Sequence, residues 1–156
     1  MKKALIIPIL ILLFSSCTRE EYGILPYQQS NIEAVLQVNN EFKIKLVKNE
    51  KVTLEILEPK GLLGMTFLVE EENITVKNGE TEITLDKGKL DGIYAISQIF
   101  SLEEKNLTTA ENNQFSFEQE KVHYVLTLGK NNLPKNVEIS SPNFQYEITV
   151  EGISKP

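Results

Sequence analysis

Phe42-Lys43-Ile44-Lys45-Leu46-Val47-Lys48-Asn49-Glu50-Lys51-Val52-Thr53-Leu54-Glu55-Ile56 is the stretch that decides the fold class. Phe42, Ile44 and Leu46 face one way, and Glu41, Lys43 and Lys45 the other. Val52, Leu54 and Ile56 repeat the pattern against Thr53 and Glu55. A period of two is the signature of a strand with one dry and one wet face. Asn39-Asn40 and Lys48-Asn49-Glu50 supply turns on either side, so three successive strands are predicted from Ile32 to Ile56.

Reading outward, alternation recurs nearly to the C-terminus. Met65 to Glu70, Ile74 to Val76 and Ile83 to Leu85 form further strands, the last two joined through Asn78-Gly79, a strong hairpin signal. Phe115 and Phe117, then Val122, Tyr124, Leu126 and Leu128, then Val137 and Ile139, then Phe144 to Val150, continue the series. Two segments break it. Glu58-Pro59-Lys60-Gly61-Leu62-Leu63-Gly64 reads as a crossing over a sheet edge, and Asn106 to Gln114 as a polar loop. From Asp91 to about Glu103 the period changes: Ile93, Ile96, Ile99, Phe100 and Leu102 recur at helical spacing, with Asp91 placed as an N-cap.

The fold class that follows is mostly β: a curved antiparallel meander, or half-barrel, of about eight to ten strands with one amphipathic helix. One short helix covers few strands. The concave apolar face, lined on this reading by Phe42, Ile44, Leu54, Ile56, Phe67, Ile83 and Leu85, is therefore filled by its own side chains, by a ligand, or by a second copy or partner.

The N-terminus has a different character. Met1-Lys2-Lys3 precedes an apolar run from Ala4 to Phe14, then Ser15-Ser16-Cys17. The run is too short for a bilayer, which takes roughly 20 residues, and fits the core of a signal peptide. Phe14-Ser15-Ser16-Cys17 resembles the lipobox of bacterial lipoproteins, with Phe14 in place of the usual Leu. That resemblance implies a signal peptide over 1–16, lipidation of Cys17 as the new N-terminus, and a tether over 17–30 before a single domain at 31–156. It implies a chain anchored on the extracytoplasmic face of the cell membrane, since paired acyl chains hold where one binds marginally. A plain secretory signal is the alternative.

Cys17 is the only cysteine, so no disulfide and no thiolate nucleophile remain. The chain has 16 basic and 22 acidic side chains; without Lys2 and Lys3, 14 stand against 22, a balance of −8. An acidic surface argues against nucleic acid as a partner.

Catalytic motifs are sparse. His123, the only histidine, falls on the wet side of its strand, and no G-x-S-x-G elbow accompanies it. Two further His or Cys ligands for zinc are missing. Glu70-Glu71-Glu72 reads as a solvated turn or, alternatively, a calcium or basic-partner patch. Asp86-Lys87-Gly88-Lys89-Leu90-Asp91-Gly92 lacks the spacing of a phosphate loop. The expectation is a protein that is not an enzyme and needs no cofactor and no metal.

Glu55-Ile56-Leu57-Glu58-Pro59-Lys60-Gly61-Leu62-Leu63-Gly64, set between a strand hairpin and a tighter one, resembles a corner of the LolA/LolB-like lipoprotein-carrier superfamily. Pro59, Leu62 or Leu63, and Gly64 match its P-x-x-L-x-G pattern. The chain departs from it in lacking a long N-terminal helix and a lid of several helices. It also looks like the membrane-anchored germination lipoproteins of spore-forming bacteria. The resemblance implies a half-barrel that either binds an envelope protein, such as a cell-wall amidase, or holds an acyl chain on its concave face as a lipid or lipoprotein carrier. Free strand edges add a homodimer to the expected partners.

Overall fold

The computed structural model describes residues 31–130 and 132–154. Cys17 and the segments expected to be a signal peptide and a tether lie outside the described residues. Eleven strands form one antiparallel sheet: β1 (Ile32–Val38), β2 (Phe42–Lys48), β3 (Val52–Glu58), β4 (Thr66–Val69), β5 (Asn73–Asn78), β6 (Thr81–Asp86), β7 (Leu107–Glu111), β8 (Gln114–Gln119), β9 (Val122–Leu128), β10 (Pro134–Ser140) and β11 (Gln145–Ser154). One helix, α1 (Asp91–Ser97), stands between β6 and β7.

The strand order is β6-β5-β4-β3-β2-β1-β11-β10-β9-β8-β7. Two meanders, β1–β6 and β7–β11, run outward from a seam where the first and last strands pair, Ala34 opposite Ile153 and Val38 opposite Ile148. The sheet is open, with β6 and β7 at its edges. Since β6 and β7 are consecutive in sequence yet occupy opposite edges, residues 87–106 must travel from one edge to the other. This topology sends α1 across the curved apolar face.

Registers carry that face across the sheet. Ile83 pairs with Val76, Val76 with Phe67, Phe67 with Leu54, Leu54 with Leu46 and Leu46 with Ala34. Bulges at Lys43/Ile44, Val35/Leu36, Pro134/Asn136 and Leu107/Thr109 interrupt the ladders, and such insertions bend and twist the strands that carry them. The core is continuous from Phe67 and Ile74 on one side to Phe117, Tyr124 and Leu126 on the other.

Five local expectations are corrected. Pro59 to Gly64 does not cross an edge: it joins the adjacent strands β3 and β4, pinned by Gly64 N donating to Ile56 O and Ile56 N to Met65 O. The β5–β6 hairpin pairs Asn78 with Thr81, so its loop residues are Gly79 and Glu80, and only Gly79 has a positive φ, 59°. Glycine at the first loop position is the type II′ arrangement. Residues 107–111, expected as loop, form β7.

The helix ends at Ser97 instead of near Glu103. Ser97 Oγ donates to Tyr94 O at 2.6 Å, and the chain then tightens, with Gln98 N bonding Ala95 O and Ser101 N bonding Gln98 O. Asp91 is the first helical residue and not the N-cap: that position is Leu90, without a side-chain cap. Among the described residues no helix is long and apolar enough to cross a membrane.

Candidate binding surface

The apolar face carries its own filling. Ala95, Ile96, Ile99, Phe100 and Leu102, from α1 and the turns after it, are each no more than 2% exposed. They form one cluster with Leu46, Leu54, Phe67, Phe117, Tyr124 and Leu126 of the sheet. Full burial of each large aliphatic or aromatic side chain contributes ~1.5–3 kcal/mol, so this segment is a structural plug.

Polar contacts fix the plug at both ends. Asn143 Nδ2 donates to Asp91 Oδ2 at 3.3 Å, and Tyr124 OH to Ala95 O at 3.3 Å. Burial pushes the Tyr124 phenol well above the usual tyrosine range. Lys48, which the register places on the apolar face opposite Ile32 and Val52, donates from Nζ to Phe100 O. Its ammonium is disfavoured by burial, which lowers its pKa; its methylenes cover the face while the head reaches the plug carbonyl. Gln119 links the far side, accepting from Asn106 Nδ2 at 2.9 Å and donating to Gln98 Oε1 at 3.4 Å.

All seven residues expected to line the concave face lie on it by register, but they differ in exposure. Ile44, Leu54, Ile56 and Phe67 are buried in the plug-filled core, while Phe42 and Leu85 are half-buried. Ile83 is 53% exposed. Alternation puts Ile83 on the same face as Val76 and Phe67, but β6 is the last strand on its side, so among the described residues no further strand flanks it. Leu62 and Leu63, on the β3–β4 connection, are 36% and 60% exposed. Sequence reasoning treated these leucines as corner residues; their exposure follows from the loop folding back onto β3.

A small pocket of about 120 Å³ opens between the start of α1 and the β8–β9 hairpin, lined among others by Lys87, Tyr94, Glu120 and Tyr124. Lys87 Nζ stands 4.8 Å from the Tyr94 ring centroid, 3.6 Å from Glu120 and 3.9 Å from Glu72. Burial raises the Tyr94 pKa, and the Glu120 carboxylate adds to it. Sites that enclose a drug-sized ligand run to roughly 300–1,000 Å³; this pocket is smaller than an acyl chain needs. Its rim is strained: Glu120 and Lys121 both take left-handed backbone, at φ 51° and 67°, unusual for such residues.

His123 lies on the exposed side of β9, between Glu118 of β8 and Ser140 of β10 in register. Among the described residues no hydrogen bond joins the three, and the three adjacent strands engage their backbone in the ladder. No group of three or more metal-ligating side chains converges among the described residues. Glu70 and Glu72 instead face lysines, Glu70 with Lys51 at 2.5 Å and Glu72 with Lys87.

No protein-family model and no curated protein matches the chain. Among solved structures, it is similar to an uncharacterized conserved protein from Thermus thermophilus (9% identity, 85% of this chain and 83% of that one, TM-score 0.48). It is also similar to a LolA superfamily protein from Nitrosomonas europaea (8% identity, 85% and 92%, TM-score 0.49). Likenesses of this size have no bearing on function.

Proposed function

We propose that this chain is a non-catalytic lipoprotein, held on the extracytoplasmic face of the membrane through Cys17, that binds another envelope protein by the apolar side chains its plug leaves exposed. The observation that carries this reading is the plug. With Ile96, Ile99, Phe100 and Leu102 buried against the sheet, the large apolar groups still open to a partner among the described residues are Leu62, Leu63 and Ile83. An acyl carrier using the concave face would have to expel the plug, exposing four large side chains at ~1.5–3 kcal/mol each. The carrier reading therefore ranks second. The likeness to germination lipoproteins, which act by binding a cell-wall amidase, makes such an amidase the first bait to try.

The test is site-specific photo-crosslinking from position 63 in native membranes. The expected result is a discrete protein adduct that is lost with Leu62→Asp. Adducts to lipid alone would favour the carrier. Cys17→Ser is expected to release the protein from the membrane; retention of that variant would remove the anchoring part.

A further inference from the structure

The two edges of the sheet are built differently. β7 has five residues, and its register with β8 shifts between Leu107 and Thr109. β6 has six, paired with β5 without interruption from Asn73–Asp86 to Asn78–Thr81. Natural edge strands are blunted by bulges, prolines, lysines or a covering element. β6, Thr81-Glu82-Ile83-Thr84-Leu85-Asp86, contains no proline or lysine and no bulge. Among the described residues only β5 pairs with it, and all its side chains but Leu85 are exposed. Its outer row of N–H and C=O groups is a template for one more strand.

The side chains say which strand fits. Ile83 and Leu85 lie on the apolar face, and Glu82, Thr84 and Asp86 on the other. Glu80 sits in the adjoining loop, and the basic residue of this hairpin, Lys77, faces Glu82 from the inner side at 2.9 Å. A second copy is a poor match over the length of the strand: a register centred on Leu85 opposes no acids but pairs only residues 84–86 of each β6. Opposite residues in an antiparallel pair share a face, which limits the two-fold registers. Those centred on Glu82, Ile83 and Thr84 set Glu82 against Glu82, Glu80 against Asp86, and Glu82 against Asp86. Each opposes two acids, a destabilising arrangement.

We propose that β6 is a strand-addition site, taking an extended segment of a partner protein in which apolar residues alternate with Lys or Arg. The apolar residues lengthen the dry face beyond Ile83 and Leu85, the basic ones meet Glu82 and Asp86, and the main chain continues the ladder. This rests on the partner-binding reading above and adds the edge, the conformation and the charge of what is bound.

The experiment uses the full mature chain in detergent and a short valine–lysine alternating peptide as probe. Controls are the peptide with Glu for Lys, and one N-methylated at every second amide, which removes donors from one edge. Hydrogen exchange is expected to show new protection confined to residues 81–86. The Glu peptide should bind about tenfold more weakly or worse, the N-methylated one should lose binding, and Glu80→Lys with Glu82→Lys should reverse the charge preference. Protection at β7 or elsewhere, equal binding of the N-methylated peptide, or no protection at peptide concentrations up to about 1 mM would overturn the proposal. So would protection of β6 that grows with protein concentration alone, since the occupant would then be a second copy. A protein adduct at position 63 without β6 protection would leave the partner reading standing and remove this one.

Discussion

The hydroxyl of Tyr146 occupies the space where a side chain on Gly92 would begin: a β-carbon there would lie 2.3 Å from the Tyr146 oxygen and 3.1 Å from two ring carbons. The ring is not free to retreat, being stacked on Phe144 at 5.2 Å between centroids. Alanine at a helix position is otherwise favourable by up to about 1 kcal/mol over glycine, whereas overpacking costs about 1–3 kcal/mol. Gly92→Ala is therefore expected to destabilise the protein with Tyr146 present and to stabilise it in a Tyr146→Ala background. Urea unfolding of the double-mutant cycle measures the sign change; equal effects in both backgrounds would rule out the contact.

Tyr124 predicts an alkaline limit. Its pKa is raised by burial, as are those of Tyr94 and Tyr146, so the folded chain keeps these protons after the unfolded chain releases them near pH 10.0. The stability they contribute is complete below pH 10 and is lost as pH rises through the folded values. Lys48, whose pKa is lowered by burial, works the other way, adding stability as pH approaches 10.5. Tyr124→Phe removes the bond to Ala95 O, which also receives Gln98 N. It should cost about 0.5–1.5 kcal/mol at neutral pH, yet decline less steeply in urea midpoints between about pH 8 and 11.

Truncations separate core from surface on the same apolar face. Phe100→Ala empties a fully buried site and should cost about 3–5 kcal/mol. Ile83→Ala, on the exposed edge, should cost less than about 0.5 kcal/mol. Chemical denaturation of the two variants decides it; comparable losses would mean that β6 is covered in solution.

The Glu120-Lys121 turn predicts a gain. Gln119 pairs with Val122 across it, leaving two loop residues with positive φ, a type I′ geometry suited to Asn-Gly. Replacing Glu120 by Asn and Lys121 by Gly is expected to raise stability by about 0.5–1.5 kcal/mol. The lost Lys87–Glu120 pair, 3.6 Å apart with Glu120 half in solvent, contributes little. A lower melting temperature would contradict the strain.

Alternation from Phe42 to Ile56 was enough to place β2 and β3 and to assign their buried faces, because period two leaves no other way to hide Ile44, Leu54 and Ile56. It could not show which strands neighbour each other across long separations. The β1–β11 seam, the placing of β6 and β7 at opposite edges and the resulting path of the plug are therefore structural findings. Ile96, Ile99, Phe100 and Leu102 were recognisable as buried, but a segment enclosed on all sides needs no helical stripe, so their spacing overstated α1. In β7, Thr108, Thr109 and Glu111 hid the strand among polar residues, since an exposed edge has little apolar pattern to display. The 53% exposure of Ile83 has the same origin, since alternation shows the face of a residue and not its distance from the sheet edge.

Native mass spectrometry of the gently purified mature chain tests the central claim, that the concave face is filled by the protein itself. The account predicts the mass of the lipidated polypeptide with no further bound component, and the same when Cys17→Ser removes the anchor. A stoichiometric fatty acid or phospholipid retained by the Cys17→Ser protein and lost on unfolding would contradict it.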